Sequence, residues 1–313
     1  AASTAATAWT SWYVSSGTLV TDLNALEGEQ FELQVKSSDT ATNYSLEYSS
    51  QITRYDKTPP ETTLTFPATG GGVYVSSLTE IAGVMQDYPA TTATKSSGTI
   101  SKVWVQLKRL DTGEYWRPGI PNWVGGWTMT SESGEVNKYV SSWTITANLP
   151  VGVKLVSGTS FYITSSGFDD ALPGGNQESW YSVRGSTFTY DNTAPETSVS
   201  TPVAGRYYSA LGSLSGGSSD AVGVSTITLF IQEVGGSCYN QTSNAFDGTC
   251  PSTFAAQGST ASWTYTFASE PWQPTKQYIV YSSATDRSWN RDSAELSDVL
   301  LRRGPAHSDG FLA

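Results

Sequence analysis

Thr99-Ile100-Ser101-Lys102-Val103-Trp104-Val105-Gln106-Leu107 alternates with a period of two. Successive side chains of a strand point to opposite faces, so this run puts an apolar face on a core and leaves polar residues on water. Thr226-Ile227-Thr228-Leu229-Phe230-Ile231 repeats the pattern. So do Trp143-Thr144-Ile145-Thr146, Trp263-Thr264-Tyr265-Thr266-Phe267, Phe31-Glu32-Leu33-Gln34-Val35 and Tyr278-Ile279-Val280-Tyr281. Between such runs lie turn clusters: Gly70-Gly71-Gly72, Pro173-Gly174-Gly175-Asn176 and Ser215-Gly216-Gly217-Ser218. Short strands separated by Gly, Pro and Ser predict an all-β chain of sandwiches.

Composition narrows the function. The 313 residues hold 17 Lys and Arg against 28 Asp and Glu, a net charge of -11. Phosphate binding needs clustered cations, so nucleic acid is excluded as a partner. No apolar run approaches the roughly 20 residues of a membrane span. The one histidine, His307, removes most His-based catalysis and zinc binding. It sits in a Gly/Pro-rich tail, which reads as a terminal segment rather than as part of a Ser/His/Asp triad. Asp169-Asp170 is the adjacent acidic pair, and neighbours on a strand or turn are expected to point apart, which disfavours glycosidase chemistry. No catalytic residue is assigned.

Cys238 and Cys250 are the two cysteines. In an oxidising space they would close a surface loop as a disulfide, worth roughly 3 kcal/mol. This pair, with the tripeptides Asn43-Tyr44-Ser45 and Asn240-Gln241-Thr242, points to an extracellular or cell-surface location.

The chain repeats itself. Tyr55-Asp56-Lys57-Thr58-Pro59-Pro60-Glu61-Thr62 recurs as Tyr190-Asp191-Asn192-Thr193-Ala194-Pro195-Glu196-Thr197. The Val103 and Ile227 strands then follow in the same order, as do Trp143 and Trp263. The expected organisation is two complete units, 56–190 and 191–302, with a tail at 303–313. Residues 1–55 read as the C-terminal half of a further unit, because Trp9-Thr10-Ser11-Trp12 resembles the Trp263 strand and Phe31 to Asp39 resembles Tyr278 to Asp286. Three strands without a facing sheet leave unpaired edges. Either the missing strands precede residue 1 in a longer protein, or a neighbouring copy supplies them by strand addition.

These landmarks resemble the tandem bacterial immunoglobulin-like (Big-type) repeats of large surface and secreted proteins, whose units open on an Asp-x-Thr-x-Pro linker. Asp56-Lys57-Thr58-Pro59-Pro60 and Asp191-Asn192-Thr193-Ala194-Pro195 match the linker. Tyr115-Trp116 with Trp123 and Trp127 matches the family's aromatic hairpin, and Ala284-Thr285-Asp286-Arg287-Ser288-Trp289-Asn290 its late turn. Ser38-Asp39-Thr40-Ala41-Thr42-Asn43 matches that turn in the partial unit. Two departures stand out. The turn of the first full unit becomes Phe168-Asp169-Asp170-Ala171-Leu172-Pro173, and Cys238…Cys250 replaces the second unit's aromatic hairpin, as if the disulfide did the work of aromatic packing. The resemblance implies tandem immunoglobulin-like sandwiches and says little about function.

Two constellations invite a ligand. Tyr115, Trp116, Trp123 and Trp127 either pack over the sheet edge or present faces to a sugar or protein. Asp56 and Asp191 at the linkers, with Asp39 and Asp169 in the late turns before them, either cap Asx-type turns or converge on a junction calcium. The sequence therefore points to a non-enzymatic stalk, sheath or filament, with head-to-tail strand complementation as its expected means of assembly. Its partners would be neighbouring copies or further domains of the same long chain. An adhesin or carbohydrate-binding array on a cell-surface glycan or protein is the alternative, followed by an accessory region of a large secreted hydrolase.

Overall fold

The computed structural model describes residues 27–70, 72–92, 95–180, 184–258, 261–292 and 299–302. The expected Trp9–Trp12 strand and His307 lie outside them. The chain is all-β, built of immunoglobulin-like sandwiches. No helix among the described residues is long and apolar enough to cross a membrane.

In the first sandwich one sheet orders the strands Asn137–Lys138, Ser142–Ile145, Ile81–Gln86 and Glu61–Phe66. The facing sheet runs Val73–Val75, Ser186–Tyr190, Ser160–Asp169, Ile100–Arg109, Tyr115–Arg117 and Asn122–Val124. Val73–Val75 joins in parallel, while the pairings between the longer strands are antiparallel. Alternation does what the sequence predicts: Val103, Val105 and Leu107 are buried against Trp143, Ile145, Phe161 and Phe188. Burying each such side chain contributes about 1.5–3 kcal/mol.

The second sandwich repeats the plan. Glu196–Thr201, Ser213–Ser219, Ser262–Thr266 and Gln257–Gly258 form one sheet. Ala245–Gly248, Cys238–Asn240, Val224–Glu233, Gln277–Asp286 and Val299–Arg302 form the other. Its core is separate, built around Leu214, Leu229, Ile231, Trp263, Tyr278 and Val280. Ahead of both sandwiches, Gln30–Val35 pairs antiparallel with Ser49–Arg54.

One expectation fails here. Ser215-Gly216-Gly217-Ser218 is not a turn but part of the Ser213–Ser219 strand. The glycines serve packing. Gly216 lies opposite Trp263 in the antiparallel register, and Gly83 lies opposite Trp143 in the same way. A Cβ at Gly216 would stand 2.0 Å from the Ser198 carbonyl oxygen and 2.3 Å from Trp263 Cζ2. At Gly83 it would stand 2.5 Å from both Thr63 O and the Trp143 ring. Each buried indole thus packs closely on a bare backbone, and a strand glycine marks close approach rather than a bend.

Gly216→Ala therefore lowers stability, by about 1–3 kcal/mol from overpacking, although alanine in an ordinary strand position would help. Denaturant unfolding checks this as a lower midpoint at unchanged slope. An unchanged midpoint would show that Trp263 is not seated on this strand.

Candidate cation sites at the start of each sandwich

Each sandwich begins at a linker aspartate. Asp56 Oδ1 accepts from Thr58 N at 3.2 Å, and Asp191 Oδ1 accepts from Thr193 N at 3.1 Å and Thr193 Oγ1 at 2.6 Å. These are the Asx-type turns that the sequence suggests. A carboxylate has two oxygens, however, and the second of each is free. Oδ2 of Asp56 and Oδ2 of Asp191 are buried without a hydrogen-bond partner.

Those oxygens face other carboxylates. Asp56, Asp87 and Asp169 bring one oxygen each within 4.8 Å of one another, and Asp191, Asp220 and Asp286 do the same in the second sandwich. Asp87 is 6 % exposed, its Oδ1 accepts from Tyr88 N at 2.9 Å, and its Oδ2 is buried and unpartnered. Asp191 is fully buried. The Asp170 carboxylate lies alongside the first group. A Cβ on Gly98 would meet Asp170 Oδ1 at 2.8 Å, Asp87 Oδ2 at 2.8 Å and Asp56 Oδ2 at 2.9 Å. Three carboxylates thus close around a space kept open by a missing side chain.

The late turns hold the clusters in place. Asp169 Oδ1 accepts from Ala171 N and Asn176 N, while Asn176 Nδ2 donates to Asp169 Oδ2 at 2.7 Å. Asp286 is held identically by Ser288 N, Asn290 N and Asn290 Nδ2. Asn176 Nδ2 also donates to the Asp56 carbonyl at 3.3 Å, and Asn290 Nδ2 to the Asp191 carbonyl at 2.9 Å. The asparagine ties the end of its own sandwich to its own linker.

This geometry corrects the expected grouping in three ways. Asp169 joins Asp56 rather than Asp191, because the Ser160–Asp169 strand ends at the pole where its own sandwich starts. Asp39 joins neither cluster: it is exposed and binds Ala41 N, Asn43 N and Asn43 Nδ2 in a turn of the same design. Asp170 also lies beside the first group, its Oδ1 near Asp87 Oδ2 and Asp56 Oδ2, and it is exposed where Asp169 is buried. The turn of the first sandwich is the same clamp with a longer loop, closed by Asn176 behind Gly175 at φ +80°. Asp87 and Asp220 were missed. Nothing local marks them, because each reaches its cluster only through the folded chain.

Electrostatics in the first group disfavour full ionisation. Burial, reinforced by the neighbouring Asp169 charge, pushes the Asp56 carboxyl up to about 6. Burial also pushes Asp87 up to about 7, with Asp56, Asp169 and Asp170 adding repulsion. Hard divalent cations such as calcium take six to eight oxygens, and aspartate clusters supply them.

The aromatic candidates are placed differently from a binding face. Trp116 is 2 % and Trp123 7 % exposed. They pair across the hairpin with ring centroids 5.3 Å apart. Their indole N–H groups donate to Asn148 O at 2.7 Å and Lys154 O at 2.9 Å. Tyr115 and Trp127 are half-buried, beneath Lys108 Nζ at 5.5 Å and the Arg117 guanidinium at 4.3 Å. In the second sandwich Cys238 and Cys250 form a disulfide. It does not stand in for aromatic packing, since Tyr239 is buried there against Phe246, Phe254 and Phe267.

No family model and no curated protein matches the sequence. Among solved structures, the chain is similar to the fibronectin(III)-like modules of Clostridium thermocellum CbhA, with 11 % identity and a TM-score of 0.33 over 78 % of this chain and 95 % of that one. It is similar to the FN1–FN3 domains of chicken CNTN1, with 12 % identity and a TM-score of 0.32 over 87 % and 77 % of the two chains. Titin domains z1z2, solved in complex with telethonin, show 12 % identity and a TM-score of 0.22 over 80 % and 100 %. These are likenesses of fold.

Two outcomes follow. Trp123→Ala unfolds the first sandwich more readily, by about 3–5 kcal/mol, and a melting curve equal to the parent would return Trp123 to the surface. In chelator, stability falls as pH rises. Asp56 and Asp87 hold protons more tightly when folded than when unfolded. Stability from that proton uptake is full below the ordinary carboxylate range and is lost through about pH 6 to 7. Melting temperatures in chelator across pH 5 to 8 check this, and removing both acids as Asp56→Asn/Asp87→Asn should flatten the dependence.

Proposed function

We propose that the chain is a non-enzymatic structural segment of an extracellular or cell-surface protein. Its sandwiches, 56–190 and 191–302 behind the partial unit 1–55, form a stalk, sheath or filament whose junctions are stiffened by calcium. The observation that carries this reading is repetition of the junction itself. The same asparagine clamp and three-carboxylate cluster recur at the same pole of both sandwiches. A repeated fastening sets spacing and angle between modules, whereas a binding or catalytic site need occur only once.

Supporting contacts run across both junctions. Glu27 Oε1 accepts from Lys57 N at 3.1 Å and from Thr58 Oγ1, and Ser96 N donates to Gly28 O at 3.0 Å. At the second junction Asp191 N donates to Val75 O at 2.9 Å, and Ser157 Oγ donates to Asn192 Oδ1 at 2.7 Å. The disulfide fits an oxidising compartment. The hairpin 30–54 keeps Ile52 56 % exposed, which suits completion by further strands of a longer chain or of another copy.

A binding array is the second reading, and Trp289 favours it. This side chain is 85 % exposed on the late turn of the second sandwich, at φ +67°, a backbone region that bulky residues seldom adopt. A glycan or protein partner would meet it there.

Small-angle scattering and negative-stain imaging of the full chain, with calcium and with chelator, separate these readings. The structural reading expects elongated particles or regular polymers, and a melting temperature several degrees higher in calcium. A ligand at a hundred times its Kd adds about 2.7 kcal/mol. Compact isolated monomers that bind glycans, with binding abolished by Trp289→Ala, would replace the stalk by the array. Identical melting with and without calcium would remove the ion from the proposal.

A further inference from the structure

The two carboxylate clusters share a plan but differ at one position. The residue after the late-turn aspartate is Asp170 in the first sandwich and Arg287 in the second. Asp170, though exposed, extends toward its cluster. Its Oδ1 is anchored by Thr99 N at 2.8 Å and lies beside Asp87 Oδ2 and Asp56 Oδ2 around the space over Gly98. Arg287 turns across the junction. Its Nη1 donates to the Tyr74 hydroxyl at 3.1 Å, and its guanidinium lies 5.7 Å from the Tyr74 ring centroid. Its backbone N–H donates to the Gly223 carbonyl at 3.3 Å, and its side chain passes over Gly223. Gly223 N in turn donates to Asp220 Oδ1 at 2.7 Å. A positive charge therefore flanks the second cluster where the first has a fourth negative one.

The clusters are more than local acidity. Asp87 and Asp191 are each over nine-tenths buried and aim an unpartnered carboxylate oxygen into their group. A buried charged oxygen without a donor is costly unless a cation meets it. Affinity for calcium rises with the number of ligand charges. It falls when a fixed cation stands nearby, by Coulomb's law.

We propose that the residue following the late-turn aspartate sets the calcium affinity of each junction. Asp170 makes the first a four-carboxylate, tight site. Arg287 makes the second a weak site, and the Arg287–Tyr74 contact ties that junction directly. The chain then carries one fastening that responds to low calcium and one that is largely indifferent to it. This inference rests on the calcium reading under the proposed function.

Calorimetric titration of the full chain with calcium chloride tests it. The wild type is expected to show two classes of site, with Asp87→Asn removing the tight class and Asp220→Asn the weak one. Asp170→Asn, at an exposed position that keeps the fold, should weaken the tight class roughly tenfold or more and leave the weak class alone. Arg287→Asp should strengthen the weak class toward the tight one. Two equal classes in the wild type, or a tight class unmoved by Asp170→Asn, would overturn the role of this position while leaving calcium binding intact. A wild type that binds no calcium overturns the calcium reading itself, and this inference with it.

Discussion

The amide of Asn290 reaches the carbonyl of Asp191, and the amide of Asn176 reaches that of Asp56. On this hydrogen bond the arrangement of each junction depends. It ties the last turn of a sandwich to the linker that began it, so both ends of the unit are held at one pole. The aspartate of the turn holds the asparagine in return through its second oxygen. Three carboxylates per sandwich, two of them buried, come together as a consequence. The clamp brings like charges close at the pole.

The sandwiches share a second constraint, the indole laid on glycine. Trp143 and Trp263 are almost completely buried, and both need a bare backbone opposite. The sheets can then approach while a large ring fills the middle of a thin core. The two edges have diverged around this centre. The first sandwich closes its hairpin with a Trp116–Trp123 pair, while the second uses Tyr239 and Phe246 and adds a disulfide. In both units these aromatics belong to the core, so the exchange preserves its filling.

Much of the fold was legible before folding. Alternation located the Ile100–Arg109, Val224–Glu233, Ser142–Ile145 and Ser262–Thr266 strands, since period two depends on successive residues alone. The Ser213–Ser219 strand was hidden, because glycine is a turn residue by local preference and becomes a strand residue only when Trp263 demands the space. The candidate site was half legible. Asp56, Asp169 and Asp191 stood out by their place in repeated motifs. Asp87 and Asp220 follow strands of the opposite sheet and carry no local mark, and Asp39 mimics a cluster member while lying apart from both.

The sequence by itself determined the all-β class, the repeat and the two cysteines available for a disulfide. Each of these follows from residue type and spacing along the chain. Only the tertiary structure decided which aspartates meet, which tryptophans face water, and that Asp170 and Arg287 point to different ends. The physical reason is distance. Charge repulsion and burial act across a few ångströms of space, and residues about thirty to somewhat over a hundred positions apart become neighbours only when the two sheets close.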